Sequence, residues 1–483
     1  MRDGAMRSVL VAGGGLTGWC AAAALKRRAP FLDVAIVAGP AAPAGLADRI
    51  AAALPSLIGF HADLGIGEAD ALGRTGARQR LGTAFIGWGG EPHVHAYGRY
   101  GQPIGPTPFH VQWIRAARAD AVAPFDRFSP EAVMGRRGRF APVGAFGPTV
   151  CGLTIDPAEQ CRMLRAFALH IGVRERPGAV EAVAIDARGH VAGVTVAGET
   201  LAADLYVDAT GPDARLRTAI DAAWEDWSAW LPCDRVLLAD RPRAAPPLLT
   251  PVTALDAGWQ WTSGTQHGLA YAAAHRDEGA ARDMLRRTAG AEPGSAIAIR
   301  PGIRRAPWQG NCVAIGDAAT QIEPLEWCNL HLALSAIDRL VTMLPDRDMA
   351  PIEAADFNRQ TLAEAERVRD FVAMHYRTAR GQTGFWRQAV EQEPPASLAH
   401  SLTQWFERGR LPFYEEETFT RDGWAAILLG RGHLPRRVDP LAEALPLDQL
   451  RAMLARMADG IAAPPPPSRP AAGFAMQPGR VSA

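Results

Sequence analysis

The chain has 483 residues, 48% hydrophobic and 21% charged, with 51 basic and 51 acidic side chains and no net charge. This composition excludes wholesale disorder and supplies a sizeable core. The lack of a basic field argues against nucleic acid or an anionic membrane as a partner. Only one of the 51 basic residues is a lysine, Lys26, and lysine and arginine are different chemical tools. The six cysteines (Cys20, Cys151, Cys161, Cys233, Cys312 and Cys328) form no CxxC pair and no metal-ligand spacing. No leader pattern precedes the first apolar run, and no stretch approaches 18 apolar residues. The expectation is a reduced, cytoplasmic globular protein without a metal.

In chain order, Ser8–Ala12 reads as a buried strand, Gly13–Gly18 as a turn, Trp19–Lys26 as helix and Asp33–Val37 as a second strand. Residues 41–150 are Gly/Pro-rich and read as irregular, with His93, His95, His110, Tyr97 and Trp113 forming an aromatic and histidine cluster. Its His-x-His pattern lacks a cysteine or carboxylate at a spacing that would complete a metal site. The cluster therefore lines a substrate cavity or packs in the core. Short β-type runs at Ala179–Ile185, His190–Val196 and Leu201–Val207 read as hairpin strands and end in Asp208-Ala209-Thr210-Gly211. Trp224, Trp227 and Trp230 recur at helical spacing, which points to a packed helix face. Residues 330–380 are helical, and Pro464–Pro467 opens a tail too polar and Pro-rich to pack, so 461–483 is expected to be disordered. No internal repeat is present.

Three motifs carry chemistry. In Gly13-x-Gly15-x-x-Gly18, the first glycine permits a tight turn, the second a close approach of pyrophosphate, and the third close packing of helix on strand. The helix N-terminus adds unpaired N–H groups. The acid expected to hold a ribose after the second strand is absent, because Val37 is followed by Ala38-Gly39. A lost hydrogen bond of that kind weakens cofactor binding by about 1–2 kcal/mol. Val313–Ala319 contains Gly316-Asp317 at a strand end, where the carboxylate can bond a ribityl or ribose hydroxyl. With the Asp208–Gly211 strand end, these three parts in this order are the pattern of FAD-dependent monooxygenases.

The resemblance then narrows. Trp19 directly after the third glycine, Leu81–Phe85 with Gly87-Trp88, Gly258-Trp259-Gln260-Trp261, Glu323-Pro324-Leu325-Glu326, and Arg369-Asp370-Phe371 before His375-Tyr376 resemble the flavin-dependent tryptophan halogenases over about residues 8–390. The resemblance implies an α/β, FAD-dependent monooxygenase-like fold over residues 8–460. A Rossmann-type FAD module would come from 8–38, 178–211 and 300–345, a substrate side from 41–150 and 213–300, and closing helices from 350–460. It implies FAD held by Gly13, Gly15, Gly18, Gly211 and Asp317, reduced by a separate flavin reductase. Oxygen and halide would then give hypohalous acid, which travels to a lysine and a glutamate beside an electron-rich aromatic substrate of tryptophan or indole type. Trp259, Trp261 and His110 would line the substrate; whether the chain is a homodimer is left open.

Carried over residue by residue, the glutamate falls on Glu326 and the lysine on Arg80. The Ser-Thr-Gly after the glutamate is replaced by Trp327-Cys328-Asn329. Both tryptophans of Trp-x-Trp-x-Ile-Pro remain, with Ser263-Gly264 in place of Ile-Pro. The flavin loop Gly-Val-Gly-Glu-Ala-Thr has no counterpart, its place being taken by Asp48–Ala53. A guanidinium stays charged where a desolvated lysine can become a neutral amine. The expectation is a halogenase-like oxidoreductase that does not chlorinate free tryptophan. Hydrogen bonding by Arg80 leaves room for slow bromination of an accessible indole. The alternatives are a non-halogenating flavin monooxygenase and an inactive binding protein on the same fold.

Overall fold

The apolar run Ser8–Ala12 forms β1, Leu16–Arg28 forms α1 and Asp33–Ala38 forms β2. In the computed structural model, which describes residues 4–240 and 245–463, these open a six-stranded sheet. Its order is Arg174–Pro177, β2, β1, Leu205–Asp208, Cys312–Ala314 and Trp308–Gln309. The first five strands are parallel and the last antiparallel. Register pairs Ala12 with Asp208 and Asp208 with Ala314. The three motifs, each at the carboxyl end of its own strand, therefore emerge side by side, where open α/β sheets bind ligands. This is the expected Rossmann-type module.

Helix α1 packs on this sheet through a run of small residues, with Ala21–Ala24 all buried. Gly18 makes that approach possible, because a Cβ there would lie 1.9 Å from the Gly13 carbonyl oxygen. That neighbour is backbone and cannot rotate away. Gly18→Ala is therefore expected to cost about 3 kcal/mol, read as an earlier urea midpoint; an unchanged midpoint would show that helix and turn can separate freely.

The second sheet has seven strands, ordered Ile297–Ala298, Arg235–Asp240, Gln266–Tyr271, Gly258–Thr262, Leu249–Leu255, Gly82–Ile86 and His93–Ala96. Helices Pro351–Arg377, Gly384–Glu391, Ala396–Arg408, Arg421–Gly430 and Leu447–Ala462 are the C-terminal helices foreseen for 350–460. Val368, Phe371, Leu402 and Ile427 from them share one core with Phe85, Trp259 and Trp261 of the sheet.

Several local readings are corrected. Residues 41–150 are not irregular throughout, since they contain helices Ser56–Leu64, Glu68–Thr75, Phe109–Ala119 and Pro130–Arg137. The last carries full boundary chemistry, with Ser129 capping the Ala132 N–H, Pro130 at the first helical position and Gly138 in the left-handed region. The run Leu201–Val207 is split: Glu199–Leu201 closes a three-stranded antiparallel sheet, while Leu205–Asp208 enters the parallel sheet. The four residues of the latter are all buried, as a central parallel strand requires. Trp224, Trp227 and Trp230 do not lie on a helix; they flank a short strand, Glu225–Asp226, and Arg369 sits over the rings of Trp227 and Trp230. Of the expected tail, residues 461 and 462 finish the last helix, and the part from 464 onward lies outside the described residues. Among the described residues no helix is long and apolar enough to cross a membrane.

Candidate active site

The site has two halves joined by one segment. The first is the glycine turn. Gly13 has φ +124° and packs its Cα against the Ala209 carbonyl, which a Cβ would approach to 2.2 Å. Gly211, at φ +73°, opens the short 3-10 turn Gly211–Asp213. A cavity of about 290 Å³ lies over this corner, lined by Gly13, Gly15, Val37, Pro40, Thr210 and Arg215. Asp317, on the turn after Cys312–Ala314, accepts a hydrogen bond from the Ala47 N–H at 2.8 Å. Burial, with Asp48 nearby, pushes its carboxyl up to about 7 despite that bond. The turn, the cavity and Asp317 fit an FAD cradle. One group stands inside it: Asp48 accepts from the N–H and the hydroxyl of Thr17, each at 2.7 Å.

Nine residues after Asp317 the same segment reaches Glu326, in the second half. Glu326 and Trp327 sit consecutively in the left-handed region, at φ +62° and +65°. Such positions cost non-glycine residues on the order of 1–3 kcal/mol each, and strain of this kind clusters at functional sites. The turn aims Glu326 at the second sheet, where Thr83 lies between Thr250 and His95 on neighbouring strands. Cross-strand partners share a face, so these side chains converge.

A fully buried polar network results. Arg80 donates from Nε to Thr250 Oγ1 at 2.7 Å and from Nη2 to Thr83 Oγ1 at 2.8 Å. The Thr83 hydroxyl donates to Glu326 Oε2 at 3.1 Å and also accepts from the Trp327 indole N–H at 3.0 Å. Its one proton and two lone pairs are thus all engaged. His95 Nδ1 meets Glu326 Oε1 at 2.7 Å, and His375 Nε2 lies 3.4 Å from the same oxygen. Arg431 donates from Nη2 to His375 Nδ1 at 2.9 Å. Burial lowers the His375 pKa to about 4. The ring is therefore neutral, accepts from Arg431, and turns its Nε2–H toward the carboxylate.

Arg80 and Arg431 are each pulled down to about 9 by burial, with Glu326 pulling them back up. Both stay protonated at neutral pH. Burial works to raise Glu326 too, but His95 against its carboxylate and the hydrogen bond from His375 hold it well below the usual carboxylate range. Trp327 lies over Arg80, 4.8 Å from guanidinium to ring centroid, with Tyr97 at 5.2 Å. Arg80 Nη1 is buried and has no hydrogen-bond partner among the described residues.

The structure thus brings Arg80 and Glu326 together through Thr83. Trp259 and Trp261 are both buried: Trp261 meets Trp327 edge-on at 5.8 Å, and Trp259 donates to the Tyr376 hydroxyl at 2.9 Å. His110 is not brought to this network. It lies on Phe109–Ala119, contacts the Gly409 carbonyl through Nε2 at 2.9 Å and stacks on Trp405. It packs against the C-terminal helices, apart from the Arg80–Glu326 network. Sequence reasoning grouped His95 only with a histidine cluster and missed Thr83, Thr250 and Arg431 as site residues. Strand alternation around Leu81–Phe85 could have found Thr83; nothing local marks Arg431, which caps the C-terminus of the helix Arg421–Gly430, 351 residues after Arg80. Among the described residues no group of three His, Cys, Asp or Glu side chains is placed to hold a metal.

Comparison with known proteins gives a consistent answer. The profile of the tryptophan halogenase family matches residues 8–447. Tryptophan 7-halogenase RebH of Lentzea aerocolonigenes is 29% identical over 429 residues, covering 80% of each chain. BrvH, a flavin-dependent halogenase from Brevundimonas sp. BAL3, superposes with a TM-score of 0.88 at 33% identity, covering 95% of this chain and 97% of that one. Xcc4156, a flavin-dependent halogenase from Xanthomonas campestris, gives a TM-score of 0.88 at 30% identity with 95% of both chains covered.

Proposed function

The chain belongs to the tryptophan halogenase family, and on that premise we propose that it is an FAD-dependent oxidoreductase that brominates accessible indoles and does not chlorinate free tryptophan. A separate flavin reductase delivers the reduced cofactor. FAD would be held by the turn Gly13–Gly18 with Gly211, and by Asp317 at a ribityl or ribose hydroxyl. When bound, reduced FAD supplies the electrons that activate oxygen toward a halide.

The remaining chemistry belongs to this chain's own side chains. Glu326, ionised and deprived of water, accepts the proton that an attacked aromatic ring must lose, and its charge stabilises the cationic ring beforehand. Arg80 offers its unpartnered Nη1–H as a hydrogen-bond donor to an electrophilic oxygen or halogen species. As a protonated guanidinium it cannot carry a covalent halogen as a neutral amine would. Thr83 couples the two by holding each at hydrogen-bond distance. The observation that carries this reading is the buried Arg80–Thr83–Glu326 network with a free guanidinium donor. A second reading, oxygenation without halogenation, is favoured by the Trp327 indole stacked over Arg80, which adds bulk beside a site meant for a small ion.

The test is mass spectrometry of indole and tryptophan incubated with the protein, a flavin reductase, NADH, oxygen and either bromide or chloride. Enzyme-dependent bromoindole is the expected product. A hydroxylated product without halogen would select the second reading, and no enzyme-dependent product with any substrate would leave a binding protein.

A further inference from the structure

We infer that Asp48 is an internal stand-in for phosphate that competes with the pyrophosphate of FAD for the N-terminus of α1. The inference rests on the cofactor assignment above and adds what this chain does to that site. Three observations carry it. Asp48 Oδ1 takes the Thr17 backbone N–H at 2.7 Å and the Thr17 hydroxyl at the same distance. That N–H belongs to the first turn of α1, whose N-cap residue Gly15 provides no side-chain cap. Such groups, with the helix dipole behind them, are what a bound phosphate uses.

The other carboxylate oxygen of Asp48 fills the space that makes Gly15 useful. A Cβ built on Gly15 would lie 1.9 Å from Asp48 Oδ2 and touches nothing nearer. The middle glycine of the motif exists so that a phosphate can approach the backbone, and here a protein carboxylate has made that approach. The loop carrying Asp48 is also tied across the groove. Ala47 donates to Asp317, and Ala42 faces Gly211 so closely that a Cβ there would meet its methyl at 2.4 Å.

Asp48 and a pyrophosphate are both anions seeking the same donors, so they exclude each other by contact and by charge. FAD enters only when the Asp48 loop withdraws, and the free-energy difference between the two arrangements sets the affinity. The cavity that runs from Gly13 and Gly15 past Val37 and Pro40 to Arg215 is present without that movement, and Asp48 is not part of its lining. The gate therefore acts at the Thr17 N–H and the Asp48 side of Gly15.

Titration of the purified protein with FAD and with ADP by calorimetry tests this, comparing wild type with Asp48→Asn and Asp48→Gly. Asparagine keeps an acceptor for Thr17 and removes the charge; glycine removes both. The expected result is FAD affinity raised roughly ten- to hundred-fold in Asp48→Gly, raised less in Asp48→Asn, and raised in the same order for ADP. Without ligand, Asp48→Gly should melt earlier than wild type, because it loses its internal cap. Equal affinities in all three proteins would overturn the inference and leave the cofactor assignment standing. Absence of FAD and ADP binding in all three would overturn the cofactor assignment, and the inference with it.

Discussion

Glu326→Gln is expected to lower both the stability of the apoprotein and its turnover. Among the described residues, the carboxylate is the only acid in the hydrogen bonds and ion pairs that link Arg80, Thr83, His95, His375 and Arg431. Removing its charge leaves two buried guanidiniums without a counter-charge. Breaking a buried charge pair from one side costs about 3–5 kcal/mol, and glutamine, which retains the acceptor geometry toward His95, should fall at the lower end. From sequence, a loss of turnover with an intact fold is the expectation; the buried network adds the stability cost.

The pH dependence has a definite sign. Because Glu326 is held below the usual carboxylate range in the folded protein, its stabilisation is present above its unfolded pKa of about 4.3 and is lost as pH falls through the folded value. The deficit of Glu326→Gln in urea unfolding should thus be full at pH 7 and shrink in acid. A variant as stable as wild type at pH 7 would mean that the network does not depend on this charge. For turnover of an indole that the wild type modifies, the loss should be about 10²- to 10⁴-fold. Unchanged turnover would make Glu326 a structural residue.

Arg80→Lys should not confer tryptophan chlorination. The exchange restores a side chain that can deprotonate when desolvated, but it gives up the planar fork that reaches Thr250 and Thr83 simultaneously. It also leaves the Trp327 indole in place, bonded to Thr83 and braced by Trp261. Mass spectrometry with chloride should give no chlorotryptophan from wild type or from Arg80→Lys. Arg80→Lys combined with Trp327→Ser should give more halogenated indole than either single variant. Chlorotryptophan from the unmodified protein would sink the requirement for a neutral amine, and from Arg80→Lys alone it would show that Trp327 does not crowd the site.

Local chemistry made much of the cofactor half legible. Gly13, Gly15 and Gly18 are spaced by the geometry of one turn, and the apolar runs on either side fix strand and helix within about 30 residues. The same locality failed at Trp224, Trp227 and Trp230, where helical spacing is met by residues around a short strand. It failed again in 41–150, where Gly and Pro that cap and start helices read as breakers of them.

The sequence by itself determined the glycine turn, the single lysine, and the identities of Arg80, Glu326 and Trp327, since these are properties of residue type and short spacing. Only the tertiary structure decided what they meet. Arg80, Thr83, His95, Glu326, His375 and Arg431 are scattered over about three-quarters of the chain, and register between strands and the docking of the C-terminal helices bring them within hydrogen-bond reach. Asp48 is the sharper case. A lone aspartate in a Gly/Ala-rich loop carries no periodic signal, and its role appears only when the fold carries that loop back onto the first turn of α1. Unpaired helix N–H groups must find an acceptor, and which acceptor they find is set by chain packing in three dimensions.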